Sequence, residues 1–252
     1  MATISAMHVL RVGASAMLAH ERALDVVSNN MANANTTGYS PSRVEFRELL
    51  KGQIEEDASG VAVSTVRHLW RQGPIHATGR DLDVAISGEG FLQLTLPDGT
   101  TGYTRDGSLQ RGANGALTTA DGYYLSQPIT IAEDVESYQV SEDGTVSVRA
   151  RGSDEWTDVG RITLATFPNP EGLEHVGKGI YVAGVASGQA AVAAPGEGAS
   201  AQLVVGALEE SSVQLGDEMV DLITAQRLYS LGVKIVQTAD EMQSLANQLV
   251  GR

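Results

Sequence analysis

The sequence contains no cysteine. Disulfides and thiolate chemistry are excluded, and the fold makes no demand on the redox state of its compartment, which permits life outside the cytoplasm. Lysine is nearly missing too: Lys51, Lys178 and Lys234 are the only ones, and the other cations are arginines. With 17 basic residues against 31 acidic ones the net charge is −14. That balance argues against a nucleic-acid binder or a protein of anionic membranes, since both need basic surface. No stretch approaches the roughly 18 uninterrupted apolar residues that a spanning helix needs, so no membrane insertion is expected. The N-terminal segment does not read as a cleavable signal either, because His8, Arg11, His20, Glu21 and Arg22 interrupt any apolar region. Export, on this reading, leaves the N-terminus in place.

Signs of catalysis are equally sparse. The histidines His8, His20, His68, His76 and His175 are scattered without the grouping that a zinc site requires. Asp81, Asp83 and Glu89 lack the alternating oxygen ligands and closing glutamate of a calcium loop. Gly88 and Gly90 have no third glycine at dinucleotide spacing and no helix after them to receive a phosphate. No serine stands in a Gly-x-Ser-x-Gly elbow. The sequence therefore predicts no enzyme, no cofactor and no metal.

What is present is periodicity at the two ends. Over residues 3–33, Leu10, Met17, Leu24 and Met31 recur every seven residues, and Met7, Ala14, Leu18 and Val27 widen the stripe. A seven-residue apolar repeat marks a helix that buries a narrow seam against another helix. The matching pattern lies near the other end, in Leu215, Met219, Leu222, Tyr229, Val233 and Val236, drifting to Ala239, Met242, Ala246 and Leu249. A drift of one residue is what a 3.6-residue period does to a 3.5-residue template. Ser211 or Ser212 can cap this helix, and Asp217 and Glu218 suit its positive end.

Between the helices the pattern is that of strands and turns. Residues 42–58 are mixed and charged and support no assignment, with Val44, Phe46, Leu49, Leu50 and Ile54 as candidate anchors. Residues 61–70 alternate and are β-branched, so a strand is expected there. Turn dipeptides stand at Asp98-Gly99, Asp106-Gly107, Asn114-Gly115, Asp121-Gly122 and Asp143-Gly144. They predict hairpins, since such pairs supply the positive φ of tight turns. Strands are expected at 91–96, 102–105, 116–119, 123–126, 138–140, 145–148, 161–167, 180–182 and 202–205. The Gly/Ala-rich stretch 183–201 reads as a surface loop. The fold class is thus α+β: a discontinuous helical coiled-coil domain (residues 1–35 with 208–252), a connecting segment with a strand (36–72), and an inserted, mainly antiparallel β domain (73–207).

The first helix ends in an amide-rich run, NNMANANTTGY at residues 29–39. Its residues are good helix caps, and a solvated helix stop is the plain reading. After a heptad helix, however, this run resembles the signature of the bacterial flagellar axial proteins of rod and hook. Residues 72–92, QGPIHATGRDLDVAISGEGFL, and 103–108, YTRDGS, are similar to the family's pattern at the start of its β region. GALEESSV from residue 206, followed by EMVDLITAQRLYSLGVKIVQTADEM, resembles its C-terminal helix. Length and C-terminal helix are most similar to the distal-rod branch. Leu92, where a second aromatic is common, and Leu228-Tyr229-Ser230, in place of Ala-Tyr-Glu, leave the proximal rod and hook-type subunits as alternatives. A reading of another class, a secreted coiled-coil adhesin or stalk with a β head, predicts closed oligomers.

The resemblance implies a structural subunit of the motility apparatus that polymerises head to tail into a helical tube and transmits torque to the hook. Its implied partners are copies of itself, other rod and hook axial proteins, the flagellar type III export apparatus and the bushing rings around the rod. It would lie in the basal body, spanning the periplasm where the cell has an outer membrane. The expected assembly seam comprises Leu10, Met17, Leu24 and Met31 against Met219, Leu222, Tyr229, Val233 and Val236, in the same or adjoining subunits. Asn29, Asn30, Asn33, Asn35, Thr37, Gly38 and Tyr39 are the expected joint between helix and β domain. In that role, replacing Asn33 or Gly38 impairs assembly more than folding.

Overall fold

The computed structural model describes residues 2–49, 60–132, 134–197 and 201–250. Leu50 and Ile54 lie outside the described residues, as do the side chains of Met7, Leu49, Ala246 and Leu249. The chain is α+β, with a helix near each end and mainly antiparallel strands between them. It divides into two compact units: Met1–Ala32, Ser42–Leu69 and Val213–Arg252 form one, and Asn33–Pro41 with Trp70–Ser212 form the other.

In the first unit, α1 (Ala2–Ala32) packs against α2 (Leu215–Val250). The two run antiparallel, with Gly13 of α1 opposite Val236 and Gly232 of α2, and Asn30 opposite Glu218. Small residues set the approach. A Cβ on Gly13 would lie 3.0 Å from Val236 Cγ2, and one on Gly232 only 2.6 Å from Met17 Cγ. The inward positions of α2, Leu222, Ala225, Tyr229, Gly232, Val236 and Ala239, follow alternating steps of three and four, with Ala225, Gly232 and Ala239 buried. Small and large residues thus alternate along the seam, which lets the helices approach without leaving voids.

The segment that the sequence left unassigned forms β1 (Ser42–Leu49), paired antiparallel with β2 (Gly60–His68) and bulged between Glu45 and Phe46. The extra residue explains why no clean alternation is visible there. The pair packs on α1. Ser15 Oγ donates to Val12 O at 2.8 Å and accepts from the amide of Val61 at 3.3 Å.

The second unit holds β3 (Ile75–Ala77), β4 (Val84–Ser87), β5 (Phe91–Thr95), β6 (Thr101–Thr104), β7 (Leu109–Arg111), β8 (Leu117–Thr119), β9 (Tyr124–Leu125), β10 (Val135–Val140), β11 (Thr145–Ala150), β12 (Trp156–Arg161), β13 (Leu164–Thr166), β14 (Glu174–Gly177), β15 (Ile180–Val182), β16 (Ala191–Ala193), β17 (Gln202–Val205) and β18 (Ala207–Glu209). The largest sheet runs β14-β15-β6-β5-β9-β8-β7, with β13 joining β5 and β16. Strands β10-β11-β12 form a separate sheet, and β17 pairs with β4 and β18 with β3. Val84, Ile86, Leu92, Leu94, Leu109, Leu117, Ile129, Val146, Leu164 and Leu203 pack into one apolar core.

Three sequence expectations change here. The Gly/Ala-rich stretch is not wholly loop, because β16 lies within it and pairs with β13; alanine methyls suffice for a short edge strand. Residues 161–167 are not one strand but the end of β12 and the whole of β13. Finally, Gly99, Gly115, Gly122 and Gly144 have φ near +80° as hairpin turns require, whereas Gly107 does not. Gly107 is needed for closeness instead: its carbonyl accepts from the Val84 amide at 3.1 Å, and a Cβ there would run into the Val84 carbonyl.

Candidate assembly site

The last turn of α1, the first residue of β1 and the first turn of α2 meet at one side chain. Asn30 is 1 % exposed. Its Oδ1 accepts from the Ser42 amide at 2.8 Å, and its Nδ2 donates to the Ser42 carbonyl at 2.8 Å. The same Nδ2 reaches both carboxylate oxygens of Glu218 at 3.2 Å. One hydrogen serves the carbonyl and the other is shared by the carboxylate, so both amide hydrogens are used. Ser42 Oγ in turn lies 3.3 Å from His68 Nδ1. Burial raises the Glu218 pKa, with Asp221 and Asp217 adding to the rise, while the Asn30 hydrogen bond and Arg43 act against it.

The rest of the amide run divides. Asn33 closes a turn just past the helix: its carbonyl accepts from the Thr36 amide at 3.1 Å and its Oδ1 from Thr36 Oγ1 at 3.1 Å. Asn29 and Asn35 are exposed, and Thr37 is half-buried. Gly38 and Tyr39 belong to the second unit, where they run beside the segment that ends it. The Gly38 amide donates to Glu209 O at 2.8 Å, and the Ser212 amide to Tyr39 O at 3.0 Å. Gly38 has φ +65°, and a Cβ on it would stand 2.6 Å from the Arg105 carbonyl carbon. The structure therefore does not gather these seven residues into one cluster.

Beneath that crossing lies an ion pair that sequence reasoning missed. Arg105 Nε donates to Glu209 Oε2 at 2.9 Å, with both side chains buried. The guanidinium also donates to Gly90 O at 3.0 Å and Gly88 O at 3.1 Å, and Glu209 Oε1 accepts from the Gly73 amide at 2.9 Å. Saturating both partners in this way offsets the cost of burying two charges. Arg105 lies within the YTRDGS segment and Glu209 within GALEESSV, so the sequence displayed both residues without showing that they meet.

The helical seam residues are placed more simply. Leu10, Met17, Leu24 and Met31 are half-buried along α1, as are Leu222, Tyr229, Val233 and Val236 on α2. Met219 stands outside that seam. It joins Ile223, Leu231, Met242 and Leu245, all half or more exposed, on the side of α2 turned away from α1, whereas Ile235 flanks the seam, its Cγ2 3.3 Å from where a Cβ on Gly13 of α1 would stand. Exposed apolar residues gathered on one side of a helix mark an interaction surface. Among the described residues no group of acids and histidines can hold a metal ion, and no helix is long and apolar enough to cross a membrane.

Three family models match the chain along its length. They describe a flagella basal body rod protein over residues 10–39, the D1 domain of the flagellar hook proteins FlgE/F/G over 85–148, and the flagellar basal body rod FlgEFG C-terminal region over 204–249. The chain is 37 % identical to the flagellar basal-body rod protein FlgG of Caulobacter vibrioides, covering 96 % of this chain and 99 % of that one. It is 36 % identical to the FlgG of Agrobacterium fabrum, with 96 % and 99 % covered. To the FlgG of Borreliella burgdorferi it is 35 % identical, with 96 % and 98 % covered.

Proposed function

The chain belongs to the flagellar basal-body rod protein family, and on that premise we propose that it builds the distal rod by stacking on copies of itself through its terminal helices. It is a structural subunit of the flagellum and not an enzyme, as its relatives are. The observation that carries the assembly mode is the second apolar face of α2. A 36-residue helix with apolar residues on two sides needs cover on both, and α1 covers one. Ile223 and Leu231, 50 % and 53 % exposed, are covered in the polymer by the helices of another copy. Each would gain about half of the roughly 1.5–3 kcal/mol that full burial of such a side chain gives.

In this reading the seam of Leu10, Met17, Leu24 and Met31 against Leu222, Tyr229, Val233 and Val236 is a two-helix coiled coil. Its support is the three-four spacing of the inward positions on α2. Residues 1–35 and 208–252 form the polymerising domain, 36–72 connect, and 73–207 form the outer β domain. Asn29, Asn30, Asn33, Asn35, Thr37, Gly38 and Tyr39 make the joint, with Met219 assigned to the copy-to-copy face. Contacts between unlike patches that do not close generate an open helix, which is the geometry of a rod. Other rod and hook proteins cap its two ends, the flagellar export apparatus delivers it without signal cleavage, and rings surround it where the rod crosses the periplasm.

The double variant Ile223→Asp with Leu231→Asp tests this. The account expects unchanged circular dichroism and at least a tenfold rise in the concentration at which the purified chain forms filaments. Unchanged filament formation would contradict it, and a closed oligomer of fixed mass in the unaltered chain would favour the adhesin or stalk reading.

A further inference from the structure

A seam built from repeating apolar and small residues specifies pairing better than register. Sliding α2 by one heptad past α1 exchanges Ala225, Gly232 and Ala239 for one another and leaves the small positions facing the same neighbours. Apolar burial alone therefore distinguishes neighbouring registers poorly, and a polar residue within such a seam is the usual means of choosing between them. Among the described residues of this seam, Asn30 is the fully buried polar side chain whose partners come from two other elements, β1 and α2. With α2 moved by seven residues, the position opposite Asn30 passes from Glu218 to Ala225 or Ser211. Ala225 has no side-chain acceptor and Ser211 lies ahead of the first residue of α2, and a buried amide hydrogen without its acceptor is costly.

We propose that Asn30 is the register residue of the terminal helix pair: it fixes α2 against α1 through Glu218 and fixes the start of β1 through Ser42. Two functions meet in one amide. Its bidentate contact with the Ser42 backbone imitates a strand partner and sets where the chain leaves α1 for β1. Its remaining hydrogen holds the first turn of α2. The charged groups around the contact are Glu218, Asp217 and Asp221 on α2 and Arg43 on β1, with His68 of β2 reached through Ser42. The consequence for assembly rests on the rod reading, because a slipped α2 would present Ile223 and Leu231 one heptad away from their partners. The register itself is a property of the single chain.

Cysteine pairs read it directly, since the chain has no cysteine of its own. A Cβ on Gly232 lies 2.6 Å from Met17 Cγ, a spacing that a disulfide spans. The full chain is prepared with Met17→Cys and Gly232→Cys, and separately with Met17→Cys and either Ala225→Cys or Ala239→Cys, then oxidised at low concentration. With Asn30 present only the Gly232 pairing closes within one chain. With Asn30→Leu, which removes the amide but keeps a buried side chain of similar size, closure at Ala225 or Ala239 rises at least fivefold while helix content is retained. Asn30→Asp, which sets two carboxylates against each other, produces the same slippage, and Glu218→Gln added to it restores the Gly232 pairing. Identical closure patterns with and without Asn30, or equal closure of all three pairs in the unaltered chain, overturn the proposal. Basal bodies isolated from cells carrying the same pairs separate the two readings: absence of the chain from rods sinks the rod reading, while the closure pattern of the purified chain still decides the register.

Discussion

Glu218 stands where two physical demands disagree. The first turn of α2 favours an acid, because the unpaired amides there carry partial positive charge. Packing beside Asn30 disfavours the ionised form, and burial, then Asp221 and Asp217, raise the pKa from its ordinary 4.5, with burial the largest cause. A carboxylate raised on folding binds its proton more tightly in the folded chain. Its contribution to stability is therefore present at low pH and lost as pH rises through the raised pKa. Glu218→Gln keeps an acceptor for Asn30 and removes the buried charge. It is expected to raise the melting temperature of the helical unit at pH 7 and to flatten the loss of stability above about pH 4.5. Calorimetry across that range checks it, and a lower melting temperature at every pH would count against the assignment. Gly38 shows the limit of sequence at this scale. As a helix stop it was legible, but its positive φ and the crowding of any Cβ against Arg105 and Asp106 mean that substitution damages the fold itself. The sequence expectation that replacing Gly38 harms assembly more than folding is therefore revised. Gly107 carries the same lesson, since an Asp-Gly pair announces a turn and cannot announce that Val84 passes too close for a side chain.

The helices were legible because periodicity is a local property, and Leu10, Met17, Leu24 and Met31 displayed it without any partner in view. What they pack against was less so. The three-residue family Ala225, Gly232 and Ala239 repeats every seven positions, yet small residues carry little hydrophobic signal: Ala239 was read into the stripe, while Ala225 and Gly232 were passed over in favour of their large neighbours. The structure makes them the buried centre of the seam. Gly232→Leu should accordingly force the helices apart. Filling a closed contact costs typically 1–3 kcal/mol, and the loss should fall on the helical unit while the β unit melts unchanged. A single cooperative transition shifted as a whole would contradict that division. Among strands, those bounded by Gly99, Gly115 and Gly122 were readable from turn chemistry. β1 was hidden by its bulge, β12 by its lack of alternation, with Trp156, Thr157 and Asp158 all exposed, and β16 by its alanines. In each case partners distant in sequence supply what local pattern lacks.

Taken as a whole the molecule places very different chemistry in its two units. The β unit closes its own apolar core and locks its entry and exit strands over the buried Arg105–Glu209 pair. The helical unit closes only one side of α2 and leaves Met219, Ile223, Leu231, Met242 and Leu245 half or more exposed. One unit is finished and the other is not, which is how a subunit that completes itself by polymerising should be divided. The family resemblance was legible at 29–39, at 72–92, at 103–108 and from 206 onward because those stretches carry closely spaced, unusual residue combinations; residues 109–205 hold turn signals common to many β proteins. The net charge of −14 keeps such a chain soluble before assembly, since like-charged copies repel until specific apolar contacts overcome them. The most direct test of the account is electron microscopy of basal bodies from a strain lacking this chain. The account predicts a rod that stops short of its distal segment and carries no hook, restored when the unaltered chain is supplied. Basal bodies with complete rods and hooks in that strain would contradict it.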